Sequence, residues 1–370
     1  MSTEQNHPVI DDLSAFVIAG RVKAHPSPGS ETAARTPAQG IEDGVEAERI
    51  GFRRAFLSER WNLKEAAVIL SGIAARTSRI DVGTGLITPA SRHPLHTAAL
   101  GSTMHAAYGP RFVIGLGRGD NDVFKGMGLR AYSFDGFMEY VDIVRRLWAG
   151  ERVTYDGQAG TFADLALGDR HDGPDPLLWY GTFALPRGAD AAARRFDGVL
   201  MPPTMTPDAT AASVQRLHDA CERVGRDPAT LRIAQCVITA PELDDTETRE
   251  IAHARSLTYL QAPGYGLSLV RVNGWDEGII ERLANHRQLR GQDHIADAVF
   301  HRSELLEPAK LIPDEWMYES CAIGTVDECV AQLQRFRDAG ADEIVTYGST
   351  PGQNAKLAAA WAARHAEVLS

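Results

Sequence analysis

Short hydrophobic runs recur along the chain, and most are followed by a segment whose apolar residues repeat at helical spacing. The segments at 62–76, 94–108 and 134–148 are of this second kind. The runs are rich in β-branched residues or bounded by glycine, which favours strands. Eight such strands are predicted, at 13–19, 54–58, 80–84, 112–116, 177–180, 198–201, 231–239 and 343–347.

This alternation predicts a (β/α)8 TIM barrel that occupies residues 1–370 as one domain. An open doubly wound sheet with a helical domain is the alternative, but the even spacing of the eight units favours the barrel. Residues 150–176 break the rhythm and are predicted to be an insertion, with a hairpin turn at Asp156-Gly157. Residues 246–320 are long for one crossover, so we expect extra helices over the barrel mouth.

In a barrel of this kind, ligands bind at the carboxyl ends of the strands. The residues found there are rich in glycine and hydroxyl groups, which suits backbone N–H groups cradling a flat ring and a phosphate tail. No Ser/His/Asp or Cys/His order indicates a hydrolase. The predicted strand-end set is Ser58, Glu59, Arg60, Thr84, Gly85, Leu86, Gly117, Arg118, Gly119, Asp120, Gly181, Thr182, Pro203, Thr204, Gly348, Ser349 and Thr350.

Glu59 and Asp120 are the two acids of this set, and either can serve as a general acid if it is shielded from water. The alternatives are a surface pair of Glu59 with Arg60 and a helix-capping role for Asp120. The glycines at 115–119 follow a G-x-G-x-G pattern that does not match the dinucleotide fingerprint. His93 and His96 lack a third ligand nearby, so no metal site is predicted.

The net charge of −11 argues against nucleic acid and against an anionic membrane surface, which leaves a small-molecule substrate as the expected partner. The four cysteines form no C-x-x-C pair and are predicted to be buried free thiols in a reducing compartment. The first residues have no basic and apolar regions typical of a signal peptide, and no long apolar window is present. We therefore expect a cytoplasmic protein.

In several segments the chain resembles the bacterial luciferase-like superfamily, and within it the coenzyme F-420-dependent oxidoreductases. The order of these segments is the specific signal, and together they span nearly the whole chain. They lie at 44–60, 74–122, 145–158, 185–203 and 323–345.

The resemblance implies a barrel that holds a deazaflavin or flavin ring at its C-terminal face. A non-proline cis peptide behind the ring maps onto Gly85–Leu86, a ring-side acid onto Asp120, and a phosphate-binding position onto Arg187. With the strand-end set, the expected catalytic residues are Glu59 and Asp120. The expected cofactor-binding residues are Ser58, Thr84, Gly85, Leu86, Gly117, Arg118, Gly119, Gly181, Thr182, Arg187 and Pro203.

The implied activity is hydride transfer between coenzyme F-420 and a small organic substrate. An FMN-dependent monooxygenase and a non-catalytic flavin- or deazaflavin-binding barrel are the alternatives. The chain departs from the family where Ser58-Glu59-Arg60 replaces a common S-D-H, and where Leu185 replaces glycine. The resemblance also implies a homodimer through the helices after the second and third strands, where Ala66, Ala67 and 98–101 are small.

Overall fold

The computed structural model describes residues 7–20, 35–60, 64–262, 264–292 and 295–368. Within these ranges the strands are β1 Leu13–Phe16, β2 Arg54–Leu57, β3 Asp81–Ile87, β4 Phe112–Leu116, β5 Val153–Gly157, β6 Gly160–Leu165, β7 Leu177–Gly181, β8 Gly198–Met201, β9 Arg232–Pro241, β10 Cys321–Gly324 and β11 Glu343–Tyr347. All eight predicted strands are present, and β5, β6 and β10 are additional.

The α-helices of the described residues alternate with these strands. They are α1 Pro37–Ile50, α2 Ala66–Ala74, α3 Pro94–Tyr108, α4 Asn121–Gly126, α5 Phe134–Trp148, α6 Pro186–Arg195, α7 Pro207–Arg223, α8 Asp245–Ile251, α9 His253–Gln261, α10 Tyr265–Asn273, α11 Gly278–Asn285, α12 Leu306–Ala309, α13 Asp314–Ser320, α14 Val326–Asp338 and α15 Ala355–Val368. None of them has the length and apolar composition needed to cross a membrane.

Nine strands form one sheet in the order β10-β9-β11-β1-β2-β3-β4-β7-β8, and a further pairing of β9 with β8 closes it. In this sheet the pairs β1–β11, β11–β9, β3–β4, β4–β7 and β7–β8 are all parallel, as βα crossovers require. The predicted (β/α)8 barrel is therefore confirmed. The short strand β10 lies outside the eight because it pairs only with the end of β9, from Cys321 opposite Ile238 to Gly324 opposite Pro241.

The chain divides into two compact units, and neither is a continuous stretch of sequence. Unit 1 comprises residues 1–55, 201–215 and 233–370, and unit 2 comprises 56–200 and 216–232. Unit 2 contains β3, β4, β7 and β8 with the hairpin β5–β6, while unit 1 contains β1, β9, β10 and β11. The one-domain interpretation of residues 1–370 stays a prediction.

Several helix ends follow the signals in the sequence. Gly51 ends α1 in the left-handed region with φ of +105°, a conformation that is typical of glycine at a helix C-terminus. At the start of α14, the Thr325 and Glu328 side chains form a capping box, which matches the T-x-x-E pattern of the sequence. Thr206 accepts the Ala209 N–H at 3.2 Å at the start of α7. Local side-chain chemistry therefore determines where these helices begin and end.

The insertion at 150–176 contains an antiparallel hairpin whose turn is not the predicted one. Gly157 pairs with Gly160, so the turn residues are Gln158 and Ala159 rather than Asp156-Gly157. The hairpin tip is fixed from outside, because Arg130 donates to the Gln158 carbonyl at 2.6 Å and the Ala159 N–H donates to Glu139 at 3.1 Å. These tertiary contacts move the turn by two residues.

The small residues proposed for a dimer interface are mostly covered by this same chain. Ala66 and Ala98 are completely buried. Trp148 donates to the Ala98 carbonyl at 2.9 Å. A Cβ at Gly101 would lie 2.7 Å from Pro176 and 2.8 Å from Trp148. Ala98 and Gly101 thus pack closely inside their own subunit, and the homodimer stays a prediction.

Unit 1 has a polar group at the amino ends of its strands. The Glu343 carboxylate is completely buried, and it accepts a hydrogen bond from Ser14 at 2.5 Å and pairs with Arg54 at 2.5 Å. All four cysteines are buried free thiols, as predicted. Burial raises the pKa of the Cys321 and Cys329 thiols to about 12, so both stay protonated at neutral pH.

The segment 246–320 forms the helices α8 to α13 and two short 3-10 helices, which confirms extra helices there. Their predicted location over the barrel mouth stays a prediction.

Candidate active site

The predicted site residues of unit 2 follow strands that run in the same direction. Strand β3 pairs in parallel with β4, and β4 pairs in parallel with β7. Because carboxyl ends of parallel neighbours share one edge of the sheet, 85–86, 117–120 and 181–182 meet at that edge. The structure therefore brings these three predicted loops together within unit 2.

Hydrogen bonds join the loop after β2 to the end of β3. The Ser58 hydroxyl donates to the Gly85 carbonyl at 2.7 Å, and the Glu59 N–H donates to the Leu86 carbonyl at 3.3 Å. The peptide bond between Gly85 and Leu86 is cis, as the family resemblance implied. The register of β3 with β4 shifts between Thr84 and Ile87, so the strand bulges at this point.

The Leu86 side chain occupies space that glycines on the neighbouring strands leave open. A Cβ at Gly117 would lie 2.8 Å from Leu86 Cδ1, and one at Gly181 would overlap Cδ1 and lie 3.1 Å from Cδ2. On Gly115, a Cβ would lie 3.0 Å from Cδ2. Gly117 and Gly181 are therefore required by the packing of Leu86, whereas Gly115 is required mainly by the Thr84 carbonyl oxygen, which would lie 2.1 Å from its Cβ.

The Thr84 hydroxyl is engaged inside the sheet. It donates to the Gly115 carbonyl at 2.9 Å and accepts the Gly115 N–H at 2.9 Å, and the residue is completely buried. Its role in the structure is to hold β3 to β4 beside the bulge.

The loop after β4 presents Arg118 and Asp120 to solvent on a fixed backbone. The Gly117 N–H donates to the Ile87 carbonyl at 3.0 Å, and Thr88 donates to the Arg118 carbonyl at 3.2 Å. Gly119 has a φ of +73°, which suits glycine. Asp120 is exposed and accepts the Val123 N–H at 3.4 Å, so it also caps α4.

Glu59 is anchored by an arginine that the sequence analysis did not select. Arg92 binds the Glu59 carboxylate at 2.7 Å and also pairs with Glu65, while the Ala66 N–H donates to Glu59 at 3.3 Å. The Glu59 side chain is 6% exposed and that of Arg92 16%. The expected alternative, a surface pair with Arg60, is thus replaced by a mostly buried pair with Arg92.

This network changes the pKa values of Arg92 and Glu65. Burial alone would lower the pKa of Arg92, but its bonds with Glu59 and Glu65 outweigh burial and raise it. Burial alone would raise the pKa of Glu65, but the Val68 N–H and Arg92 lower it. Arg92 therefore remains a cation that fixes the loop after β2. In the sequence, the position of Arg92 just before α3 was the one available indication of this role. Its partners Glu65 and Glu59 lie 27 and 33 residues away.

The start of α6 carries the predicted phosphate-binding residues. Leu185 is the N-cap and its side chain makes no capping hydrogen bond. Thr182 accepts the Ala184 N–H at 3.0 Å just before it. The Arg187 guanidinium pairs with Asp135 at 2.5 Å and lies 4.2 Å from the centre of the Phe134 ring. In this structure Arg187 is thus directed along α5, and its side chain is 63% exposed.

Pro203 belongs to unit 1, unlike the other predicted cofactor-binding residues. It is buried and precedes Thr204, whose φ is +69°. The Asn273 side chain donates to the Thr204 carbonyl at 2.8 Å and accepts the Thr206 N–H at 3.0 Å, which holds this turn in place.

Comparison with known protein families decides the classification. The family described as luciferase-like monooxygenase matches residues 16–343. The chain belongs to this family. This confirms the resemblance inferred from the segment order.

Individual relatives are distant. The chain is 24% identical over 313 residues to a 5,10-methylenetetrahydromethanopterin reductase of Methanolobus tindarius, covering 84% of this chain and 90% of that protein. It is 31% identical over 204 residues to a coenzyme F-420-dependent glucose-6-phosphate dehydrogenase of Microbacterium testaceum, covering 51% of this chain and 60% of that protein. The second match thus spans well under two thirds of its relative.

Solved structures agree in fold. A coenzyme F-420-dependent tetrahydromethanopterin reductase of Methanopyrus kandleri superposes with a TM-score of 0.72 at 19% identity, covering 92% of this chain and 93% of that one. A monooxygenase of Streptomyces bottropensis superposes with a TM-score of 0.65 at 20% identity, covering 97% and 100%. Both show the same barrel fold as this chain.

Proposed function

We propose that this protein is a coenzyme F-420-dependent oxidoreductase that moves a hydride between the deazaflavin and a small organic substrate. The observation that carries the proposal is the edge in unit 2 where β3 bulges and the Leu86 side chain packs against Gly117 and Gly181. An edge without side chains from these two positions suits a flat ring. Relatives named for the same cofactor support the choice.

The donors around this edge fit a phosphorylated cofactor. The start of α6 carries N–H groups that the Leu185 side chain does not cap, and Arg118 is exposed on the adjacent loop. Thr182 offers a hydroxyl beside them. Arg187 lies in the first turn of this helix, and we infer that it exchanges Asp135 for a phosphate on binding. The cofactor would supply the hydride chemistry, and the chain would bind and orient it.

Asp120 and Glu59, the two candidate acids for proton transfer, differ in their exposure to solvent. Asp120 is exposed, so it can exchange protons with solvent. Glu59 is mostly buried and bound to Arg92 at 2.7 Å. We therefore propose that Asp120 moves the proton, while Glu59 orients the loop that holds Ser58 against the Gly85 carbonyl.

Titration of the purified protein tests the cofactor. We expect coenzyme F-420 fluorescence to change saturably on addition of protein, with FMN binding more weakly. The FMN-dependent monooxygenase is the second candidate, because the family description names that class. Tight FMN binding without F-420 binding would establish the second candidate instead. Affinity for F-420 with no turnover over a broad panel of alcohols and carbonyl compounds would indicate a binding barrel.

We further propose a homodimer through the exposed faces of α2 and α3. Neither helix contains Asp, Glu, Lys or Arg, and Val68 is 70% exposed. Uncharged exposed helices are typical of interfaces. Light scattering after gel filtration should give a dimer for the wild type and a monomer for Val68→Glu. Tyr318→Glu, at a residue 64% exposed on α13, is the control and should stay dimeric. A monomeric wild type contradicts the proposal.

The four free thiols fit a reducing compartment, so we propose the cytoplasm as the location.

A further inference from the structure

Unit 1 contains a polar and aromatic cluster that none of the preceding assignments uses. It consists of Arg255 and Tyr259 from α9, Asp297, and Tyr347, the last residue of β11. We refer to these residues as the tyrosine cluster. Arg255 and Tyr259 are four positions apart on one helix, so their side chains lie on the same face.

Tyr347 lies at the carboxyl end of its strand. Side chains alternate along a strand, so Tyr347 shares a face with Val345 and Glu343, whose carboxylate is buried. Its ring meets that of Phe16, at the end of β1, edge-on with centres 4.8 Å apart. The ring is therefore held from the side of β1, and its hydroxyl and one ring face meet the cluster.

Arg255 holds the two phenols together. Its guanidinium donates to both hydroxyl oxygens and lies 5.0 Å and 4.9 Å from the ring centres of Tyr259 and Tyr347. The two hydroxyl oxygens are 2.6 Å apart. A guanidinium over two aromatic rings is stabilised by both the hydrogen bonds and the cation–π contacts.

This arrangement creates a hydrogen-bond donor. The bond between the two hydroxyls can run in either direction. In the arrangement in which Tyr259 donates to Tyr347, the Tyr347 oxygen accepts two hydrogens and its own hydrogen is directed to a further acceptor. The guanidinium polarises that hydroxyl and strengthens it as a donor.

The charge of the cluster indicates which acceptor it takes. Asp297 pairs with Arg255, so the cation is neutralised inside the cluster. A free anion gains little from a neutral pair, whereas the oxygen of a ketone or an alcohol needs only the donor. The Arg255 side chain is 21% exposed and that of Asp297 17%, whereas Tyr347 is 6% exposed, so the cluster meets solvent on the side of Arg255 and Asp297.

We propose that the tyrosine cluster is a recognition site for the neutral oxygen of a small carbonyl compound or alcohol, with Tyr347 as the donor. Tyr265 supports it from below, with its ring centre 5.4 Å from that of Tyr259. Burial raises the pKa of Tyr265 well above its usual value, so it stays a neutral phenol. The site lies within unit 1 and does not depend on which cofactor the protein uses.

The test uses the full-length protein labelled with carbon-13 at the tyrosine Cζ, observed by NMR. Three probes share one ring and differ in the polar group: cyclohexanone, cyclohexanol and cyclohexanecarboxylate. We expect the ketone and alcohol to shift the Tyr347 signal saturably and the carboxylate to bind more weakly. The signal is identified by its loss in Tyr347→Phe.

Two variants separate recognition from a purely structural role. Tyr347→Phe should weaken ketone binding about tenfold, the effect of one lost hydrogen bond of ~1.4 kcal/mol. Asp297→Asn leaves Arg255 without its counter-charge, so the preference should change to the carboxylate. Tyr318→Phe, on an exposed residue, should change neither. A structural lock alone would not reverse the preference.

The proposal is overturned if no probe shifts Tyr347, or if both variants bind the three probes as the wild type does. Should Tyr347→Phe fail to fold, the reversal in Asp297→Asn decides the question. F-420 binding is measured separately, so its failure would leave this result unaffected.

Discussion

Replacing Gly181 by alanine tests whether the packing of Leu86 is what requires glycine at this edge. The new Cβ would overlap Leu86 Cδ1 and lie 3.1 Å from both Cδ2 and Cγ, so the leucine side chain must move as a whole. Forcing an extra methyl into a packed position costs about 1–3 kcal/mol of unfolding free energy. At Gly117 only Cδ1 is close, at 2.8 Å, so alanine there should cost less.

A double-mutant cycle isolates the contact. Leu86→Ala removes the atoms that the new methyl would strike, so Gly181→Ala should cost at least ~1 kcal/mol less in that background. Unfolding free energies come from urea titrations followed by tryptophan fluorescence. Gly168→Ala is the matched control, because nothing lies within 4 Å of a Cβ there. It should change stability by no more than about 0.5 kcal/mol.

The same variants connect packing with function. If the edge formed by Leu86, Gly117 and Gly181 holds the cofactor, Gly181→Ala should weaken F-420 binding while Gly168→Ala does not. The reasoning fails if the effects of Gly181→Ala and Leu86→Ala on unfolding free energy simply add, because the two residues would then not compete for space.

Three further predictions concern charged groups. Arg92→Met leaves the mostly buried Glu59 without its cation and should cost about 3 kcal/mol in urea unfolding, and adding Glu59→Gln should restore much of it. In steady-state assays with whichever substrate is found, Asp120→Asn should lower kcat more than Glu59→Gln, and equal rates for both variants and the wild type would remove both acids from the mechanism. Burial lowers the pKa of His253 below its ordinary value of 6.5, so its contribution to stability is complete above about pH 6.5 and declines as the pH falls further. The unfolding free energy measured from pH 8 to pH 5 should therefore fall less steeply in His253→Gln, and parallel curves would contradict this.

The barrel could be predicted from the sequence because the signals for each strand and helix lie within that element's own residues. Each strand is a short apolar run ending in glycine or a polar residue, and each helix has its own periodicity and caps. The predicted strands at 112–116, 198–201 and 343–347 match β4, β8 and β11 residue for residue. The helix 94–108 likewise matches α3. Parallel strands then force the strand-end residues to one edge, which is why the candidate loops of unit 2 were found.

The predictions were wrong where a residue far away in the sequence determines the position of a turn or the partner of a side chain. The hairpin turn lies at Gln158-Ala159 because Arg130 and Glu139 hold the tip. Glu59 pairs with Arg92 rather than with the adjacent Arg60. None of these partners has a sequence spacing that a periodic pattern could indicate.

The sequence by itself determined the elements, their order, the barrel and the family, because periodicity, capping and segment order are properties of neighbouring residues. Only the tertiary structure decided what each site residue contacts. It placed Leu86 among the glycines of β4 and β7, fixed Glu59 to Arg92, and assembled the tyrosine cluster from α9 and β11. Side chains from segments that are distant in the sequence come into contact only once the barrel has formed. Packing and charge pairing then determine which of them interact.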